Sequence, residues 1–232
     1  MKVSVVIPAH NEEDNIADAI DAIERSLDIP YELIIVDDHS ADNTRGIVNN
    51  LSSRYKNIRL VENTRAKGFV NAIKAGFDSV TTEAVVPVMA DLCDNLSTIS
   101  EMYVKINEGY DVVCGSRYIK GGLRLGGSKV KGFFSCFVGR SIGFFLGIPT
   151  SDISNAFKMY RRAVIEKIDI RSKGFEVSME LPLKAFFLGF KITEVPTVWR
   201  ERTRGKSNFK MLKVLPDYLK LYIWAVLKKV FR

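Results

Sequence analysis

A run of apolar residues gives way to acids in "AVVPVMADLCDN", residues 84–95. The run predicts a buried strand, and the first acid after it is Asp91. Carboxylates at a strand end are suitable ligands for Mg²⁺ or Mn²⁺. Alternate side chains of an extended chain point the same way, so Met89, Asp91 and Cys93 share one face. From these residues alone the stretch can be a metal site, a degraded metal site or an ordinary loop, with Asp91 as the candidate ligand for a divalent cation and Cys93 as a weak one. A thioether is a poor ligand for a hard cation. Met89 therefore predicts either a weakly bound cation or a site in which Arg and Lys side chains, rather than a metal, neutralise the negative charge of the bound ligand.

Two earlier apolar runs also end in polar residues, at "PAHNE" (8–12) and "VDDHS" (36–40). The carboxylates of Glu12 and Asp38 can accept hydrogen bonds from a ribose hydroxyl or a nucleobase N–H. Further on, Lys67 and Gly68 precede a predicted helix, where free backbone N–H groups favour phosphate. These residue types can contact a hydroxyl, a ring N–H and a phosphate, and they fall at three strand ends.

The elements that must position these residues alternate between strand and helix from residue 3 to residue 118. Apolar runs predict strands, and apolar residues at helical spacing predict the helices between them. Such alternation is typical of an α/β fold with a mostly parallel central sheet flanked by helices, in which ligands bind at the carboxyl ends of the strands. The predicted strands are 3–8, 31–38, 58–63, 84–91 and 110–118, with a later strand-like segment at 191–202.

Several other functions are disfavoured by the sequence. No G-x-G-x-x-G follows the first strand, and the "GKS" of 205–207 lacks the earlier glycine of a phosphate-binding loop, since Arg200 stands there. The three cysteines (Cys93, Cys114 and Cys136) match no zinc pattern and favour a reducing, cytoplasmic setting. The start turns acidic within a dozen residues, which argues against a signal peptide.

Positive charge is concentrated at the end of the chain. Residues 202–232 hold nine Lys or Arg and one acid, whereas the other 201 residues hold 25 basic and 26 acidic residues. A basic tail can meet nucleic acid, anionic lipid or a phosphorylated substrate. The tail (209–232) and the segment 132–149 are both rich in aromatic and aliphatic residues, which favours a membrane surface over nucleic acid. No apolar run reaches the length of a membrane span.

The motifs "VSVVIPAHNEEDNI" and "ELIIVDDHSADNT" resemble the opening of family 2 glycosyltransferases, which have the GT-A fold. The resemblance places "MADLCD" where that family carries Asp-x-Asp, the pair that holds Mg²⁺ or Mn²⁺ against the donor diphosphate. It implies one glycosyltransferase domain over 1–208 and an amphipathic helical tail over 209–232. It also implies a nucleotide-sugar site formed by Pro8, Ala9, His10, Asn11, Glu12, Val36, Asp38, Lys67, Ala90 and Asp91.

The second half resembles a narrower group within that family, the polyprenol- and dolichol-phosphate mannosyl- and glucosyltransferases. The resemblance is carried by "GSRYIKGG", "SDISNAFKMYRRAV", "KGFEVSMELPLKA" and "ITEVPTVWRERTRGKSNFK". It implies that Arg117, Arg202 and Lys206 bind donor or acceptor phosphates, and that Asp91, Arg117 and Arg202 are the catalytic residues. Guanidinium groups suit this work because they contact phosphate in a bidentate manner.

The implied reaction moves a hexose, with inversion, from a nucleotide donor of the GDP-mannose or UDP-glucose type to a polyprenyl phosphate. Such an acceptor is already anionic, so catalysis would rest on positioning and charge stabilisation rather than on a strong base. The enzyme would work peripherally, at the cytoplasmic face of the membrane. Two alternatives stay open: transfer to a glycan or protein acceptor, and a degenerate protein that binds a nucleotide sugar without turnover.

Overall fold

The computed structural model describes residues 1–202 and 211–231, and its elements follow the predicted alternation. The strands are β1 Val3–Ala9, β2 Tyr31–Asp37, β3 Ile58–Glu62, β4 Ala84–Pro87, β5 Val112–Ser116, β6 Leu123–Leu125, β7 Lys158–Arg161, β8 Ile192–Pro196 and β9 Val198–Arg200. The helices are α1 Ile16–Ser26, α2 Thr44–Arg54, α3 Phe69–Asp78, α4 Thr98–Asn107, α5 Lys129–Leu146, α6 Arg162–Lys167, α7 Val177–Phe187 and α8 Met211–Val230.

Seven strands form one sheet in the order β3-β2-β1-β4-β7-β5-β8. All neighbours are parallel except β7, which runs antiparallel to both β4 and β5. The carboxyl ends of β1, β2, β4 and β5 therefore lie along one edge. The expected mixed α/β fold with a mostly parallel sheet between helices is confirmed.

The sheet is buried on both faces because helices cover each of them. Alternate strand residues point to opposite faces, so Val6 belongs to one apolar cluster and Val5 to the other. The Val5 cluster packs against α1 and α4, whose buried side chains include Ile20 and Met102. The Val6 cluster packs against α3 and α7, and it also takes in Ala225 of α8.

The segment 119–132 contains β6, which pairs with β9 in a small parallel sheet. The Arg124 guanidinium lies over the Trp199 ring, 5.0 Å from its centroid. The expected strand over 191–202 is divided into β8 and β9, with Thr197 between them. The sequence could not reveal this pairing, because it joins segments more than seventy residues apart.

The C-terminal tail forms the single helix α8, with Pro216 inside it rather than breaking it in two. The expected C-terminal helix is confirmed for the described residues. The proposed domain boundary at 208/209 lies outside the described residues. The helix contacts α5 and α7, and its Ala225 joins the apolar cluster on one face of the large sheet.

Candidate active site

The loops that follow β1, β2 and β4 contain unusual backbone conformations. Asn11, His39 and Leu92 have φ values of 53°, 57° and 51°, and they are the non-glycine residues with positive φ among those described. Side chains rarely adopt this region, and such strain persists where surrounding contacts impose it. These three residues lie at one edge of the sheet, which marks that edge as the candidate site.

The β1 and β2 loops are joined by hydrogen bonds. His10 Nδ1 lies 2.7 Å from the carbonyl oxygen of Asp38, and the backbone N–H of Glu12 donates to Thr44 Oγ1 at 2.9 Å. The Glu12 carboxylate accepts a hydrogen bond from Asn15 Nδ2 at 2.7 Å. The other predicted donor-site residues of these strands frame the same edge: partly buried Pro8, buried Ala9, exposed Asn11 and buried Val36.

Asp38 is buried and engaged with the start of α3. Its carboxylate accepts the backbone N–H of Gly68 at 2.9 Å and the amide of Asn63 at 2.7 Å. The carboxylate therefore takes a helix N-terminal N–H that the sequence predicted for phosphate. Gly68 has a φ of 152°, which a side chain rarely adopts, and Lys67 beside it is exposed. Asn63 is a site residue that sequence reasoning missed.

Asp91 is ion-paired with Arg202. Asp91 Oδ2 lies 2.5 Å from Arg202 Nη2, and its Oδ1 accepts the Cys93 backbone N–H at 3.2 Å. The pair is largely enclosed, with side-chain exposure of 10% for Asp91 and 29% for Arg202. Two predicted catalytic residues, 111 positions apart, are thus in direct contact.

The strand β9 brings Arg202 to this place. The backbone N–H of Arg200 donates to the Cys93 carbonyl at 2.7 Å, and that of Asn95 donates to the Val198 carbonyl at 3.0 Å. These bonds align the loop after β4 antiparallel to β9. Arg202, two residues after Arg200, therefore lies beside Asp91. The neighbouring residues Met89 and Ala90 are partly buried and buried, respectively.

Cys93 and Asp94 lie beside Asp91 in an environment that disfavours charge. Burial and the Asp91 carboxylate raise the pKa of the Cys93 thiol to about 12, so it is protonated at neutral pH. Burial likewise raises the pKa of Asp94 to about 7. Asp94 is partly exposed as a residue, but its Oδ1 is buried and makes no hydrogen bond with the described residues. Asp94 was not among the predicted site residues.

Arg117 follows β5 and is held by a carboxylate. Its Nε and Nη2 contact the two oxygens of the fully buried Asp152 at 2.7 and 2.8 Å, and its backbone N–H donates to the same group. A further bond, 3.1 Å long, joins Nη2 to Ser135 Oγ on α5. The predicted phosphate-binding arginine is therefore fixed at the junction of β5 and α5. The sequence quoted "SDISNAF" but did not identify Asp152 as its partner.

The remaining predicted phosphate ligand, Lys206, lies outside the described residues. Within residues 1–202 and 211–231, no three metal-binding side chains converge on one point. Asp91 provides one hard ligand, Cys93 is protonated, and Met89 offers only a thioether. These residues fit a divalent cation only if the oxygens of a bound diphosphate complete its coordination.

Helices α5 and α8 present apolar side chains to solvent. On α5 the exposed residues include Phe133, Phe137 and Phe144, the last of them 85% exposed. On α8 they include Leu219 and Ile223. In the described parts of the chain, no helix combines the length and apolar character needed to cross a bilayer.

The fold is of the GT-A type, with charged side chains gathered at one edge of its sheet. The structure is similar to glucosyl-3-phosphoglycerate synthase from Mycobacterium tuberculosis, solved with Mn²⁺, UDP and glucosyl-3-phosphoglycerate. The TM-score is 0.72 at 20% sequence identity, covering 98% of this chain and 79% of that one. The same protein has also been solved with Mn²⁺ and UDP-glucose, at a TM-score of 0.72 and 19% identity, covering 97% of this chain and 78% of that one.

The chain belongs to the glycosyl transferase family 2, whose model matches residues 4–169. It is 31% identical to a dolichol-phosphate mannosyltransferase from Pyrococcus furiosus, over 98% of this chain and 64% of that protein. It is 28% identical to a polyprenol monophosphomannose synthase from Mycolicibacterium smegmatis, over 96% of this chain and 86% of that protein. The chain thus spans less than two thirds of the Pyrococcus relative. The predicted resemblance to this family is confirmed.

Proposed function

We propose that this protein transfers a hexose from a nucleotide-diphosphate sugar to a polyprenyl phosphate, with inversion at the anomeric carbon. One observation supports a lipid acceptor. Ser135 of α5 contacts Arg117, and Phe134 and Phe137, one and two residues away on the same helix, are exposed. A phosphate-binding arginine thus adjoins an apolar surface. A phosphorylated lipid has both chemistries, and the polyprenol-phosphate relatives agree with it.

In this proposal, Glu12 and Asp38 orient the nucleoside, while Arg202, together with Lys206, binds phosphate. Arg117, anchored by Asp152, faces the acceptor phosphate. An acceptor phosphate oxygen attacks the anomeric carbon as the bond from that carbon to the diphosphate oxygen breaks, and the nucleoside diphosphate leaves. The acceptor oxygen needs no deprotonation, so catalysis rests on positioning and on neutralising the leaving diphosphate.

A divalent cation is part of the proposal, since structural neighbours bind Mn²⁺ or Mg²⁺ with UDP. Asp91 is the residue that would hold it, and the bound ion would supply charge stabilisation to the leaving diphosphate. Because Asp91 Oδ2 is paired with Arg202, the guanidinium would compete with a cation for this carboxylate.

The membrane is the proposed working surface. The exposed faces of α5 and α8 lie on neighbouring helices, and α8 carries Lys220, Lys228 and Lys229 beside them. Apolar side chains flanked by lysines suit the interface of a membrane with anionic lipids. We propose peripheral binding at the cytoplasmic face.

The test is transfer of radiolabelled sugar into an organic-extractable lipid, with GDP-mannose, UDP-glucose and UDP-N-acetylglucosamine offered in turn. We expect one donor to label polyprenyl phosphate. The Asp91→Asn variant should lose at least about 100-fold in rate, while the exposed control Asp28→Asn keeps full activity. Labelling of a lipid-free glycan or protein instead would reject the lipid acceptor, and donor binding without any transfer would reject the enzyme.

A further inference from the structure

The hydroxyl of Tyr218, on the buried side of α8, contacts two groups outside its own helix. It donates to the carbonyl oxygen of Phe175 at 2.8 Å and lies 3.2 Å from Ser178 Oγ at the start of α7. Burial raises the pKa of this phenol to about 12, so it keeps its proton at physiological pH. None of the roles proposed above uses Tyr218.

From Ser178 a series of contacts continues to the acceptor arginine. Ser178 Oγ lies 3.0 Å from the Ser154 carbonyl oxygen, and Ser154 Oγ lies 2.7 Å from Ser135 Oγ. Ser135 in turn accepts the hydrogen bond from Arg117 Nη2. The series thus joins α8, α7, the 152–155 turn and α5 to Arg117.

A second set of contacts leads from Phe175 to the start of α3, beside Asp38. The Phe175 ring stacks on the Phe69 ring, with centroids 5.0 Å apart. Phe69 begins α3 directly after Gly68, whose N–H holds the Asp38 carboxylate. The carbonyl that Tyr218 binds therefore belongs to the residue that packs against the donor-side helix.

Proton counting gives Tyr218 a specific role. Ser178 Oγ is within hydrogen-bond distance of two carbonyls, those of Phe175 at 2.8 Å and Ser154 at 3.0 Å, but it has one hydrogen. The Phe175 carbonyl also accepts the backbone N–H of Ser178 at 3.2 Å, so the Tyr218 proton fills its second acceptor position and leaves the Ser178 hydroxyl to donate to Ser154. Without the Tyr218 hydroxyl, the Ser178 hydroxyl would donate to the closer Phe175 carbonyl instead, and its hydrogen bond to the Ser154 carbonyl would be lost.

We propose that Tyr218 is a positioning residue, which fixes the 152–155 turn and through it the acceptor-side Arg117. The role in the reaction rests on the proposed function, whereas the role in ordering the turn does not. The buried Lys158 also binds this turn, through the carbonyls of Ile153 and Asn155. Loss of the Ser178–Ser154 hydrogen bond should therefore loosen the turn without unfolding it. Because Tyr218 lies on α8, seating of that helix at a membrane would favour an ordered acceptor site.

The first experiment compares Tyr218→Phe with Tyr222→Phe by hydrogen exchange and mass spectrometry. Tyr222 is a matched control: it is partly buried on the same helix, and its hydroxyl makes no hydrogen bond with the described residues. We expect about threefold to tenfold faster exchange at 152–155 in Tyr218→Phe alone, with 173–176 unchanged. Equal exchange at 152–155 in the two variants would overturn the proposal, whatever the enzyme's substrate is.

The second experiment measures transfer kinetics in vesicles that contain polyprenyl phosphate. Tyr218→Phe should raise the acceptor KM about threefold to tenfold, with kcat and the donor KM within about twofold of wild type. Ser178→Ala should have the same effect, and the double variant should be no worse than either single one. Additive losses, or an unchanged acceptor KM in an active enzyme, would refute the positioning role, while an inactive wild type would refute the proposed function alone.

Discussion

At the scale of single residues, three carboxylates of this site are already engaged by the protein. Asp38 holds the start of α3, Asp152 holds Arg117, and Asp91 holds Arg202. Each contact fixes a geometry that a substrate can use. The Asp91 pair differs from the other two, because a cation or a diphosphate has to compete with it.

The competition at Asp91 predicts the metal affinity of the donor-free protein. Arg202→Gln removes the guanidinium, so we expect Mn²⁺ to bind about tenfold more tightly, since the freed carboxylate has no competing positive charge. Arg202→Lys keeps a positive charge and should bind Mn²⁺ like wild type. Electron paramagnetic resonance of free Mn²⁺ measures both. Weaker binding in Arg202→Gln would mean that Arg202 does not block the cation.

Asp94 predicts a pH dependence of stability. The pKa of its carboxyl is raised from the ordinary value of 3.8, which applies to the unfolded chain, to about 7 in the folded protein, mainly by burial. Below pH 4 both states are protonated, and between pH 4 and 7 only the unfolded state loses the proton. The free energy of unfolding therefore falls as the pH rises through this range, and the loss is complete above pH 7.

Replacing this carboxyl should remove the pH-dependent loss. We expect Asp94→Asn to be more stable than wild type at pH 8, by on the order of 3 kcal/mol, with the difference vanishing near pH 4. Urea unfolding at the two pH values measures it, and Asp28→Asn, at an exposed position, should follow wild type at both. An Asp94→Asn protein that is equally stable at pH 8 would show that Asp94 ionises in the fold as it does in solution.

The Arg117–Asp152 pair predicts a large cost when one partner is removed. Asp152→Ala leaves a guanidinium with 12% exposure next to an empty pocket, so urea unfolding should show a loss of about 3–5 kcal/mol. The exposed pair of Arg171 and Asp169 is the control, and Asp169→Ala should cost less than about 1 kcal/mol. Equal losses in the two variants would show that Asp152 does not stabilise the buried arginine.

At the scale of elements, α5 has two faces with different roles. Its inner face packs Ile142 and Leu146 against the sheet, and its outer face exposes phenylalanines. In an aqueous domain, apolar side chains on this scale mark an interaction surface. The short β6–β9 sheet and the contact with α8 hold this helix beside the charged edge of the large sheet.

The outer face of α5 can be tested separately from its inner face. Replacing Phe133 and Phe144 by Ser should weaken binding to anionic vesicles at least about tenfold, because two side chains no longer enter the interface. Urea unfolding should be unchanged, since both side chains are exposed. Ile142→Ala, on the buried face, should cost about 3 kcal/mol instead. Vesicle sedimentation that is the same for the double variant and wild type would exclude this face from membrane binding.

At the scale of the whole molecule, one sheet edge joins the three parts of the proposed reaction. The ends of β1 and β2 carry Glu12 and Asp38, the end of β4 carries Asp91, and the end of β5 carries Arg117. Helices α5 and α8, which expose apolar side chains, contact each other, and α8 also contacts α7. In the proposed function, the ends of β1, β2 and β4 would hold the donor, and α5 and α8 would face the lipid.

The sequence by itself determined the α/β fold, the edge that carries the site and the family. Apolar runs at strand and helix spacing are local, and parallel strands bring their carboxyl ends together whatever their order. Asp91 and Asp38 could therefore be placed at one edge from the sequence, and the positions of Pro8, Ala9 and Val36 followed from the strands that carry them.

Only the tertiary structure decided which groups contact one another. The pairing of Asp91 with Arg202 depends on β9 lying against the loop after β4, and that of Arg117 with Asp152 depends on the turn before β7. Both join segments far apart in the chain, and the burial that fixes the charge of Asp94 and Cys93 comes from the same packing. Spacing along the chain carries no record of such contacts, because packing between distant elements sets the register, distance and solvent exclusion on which they depend.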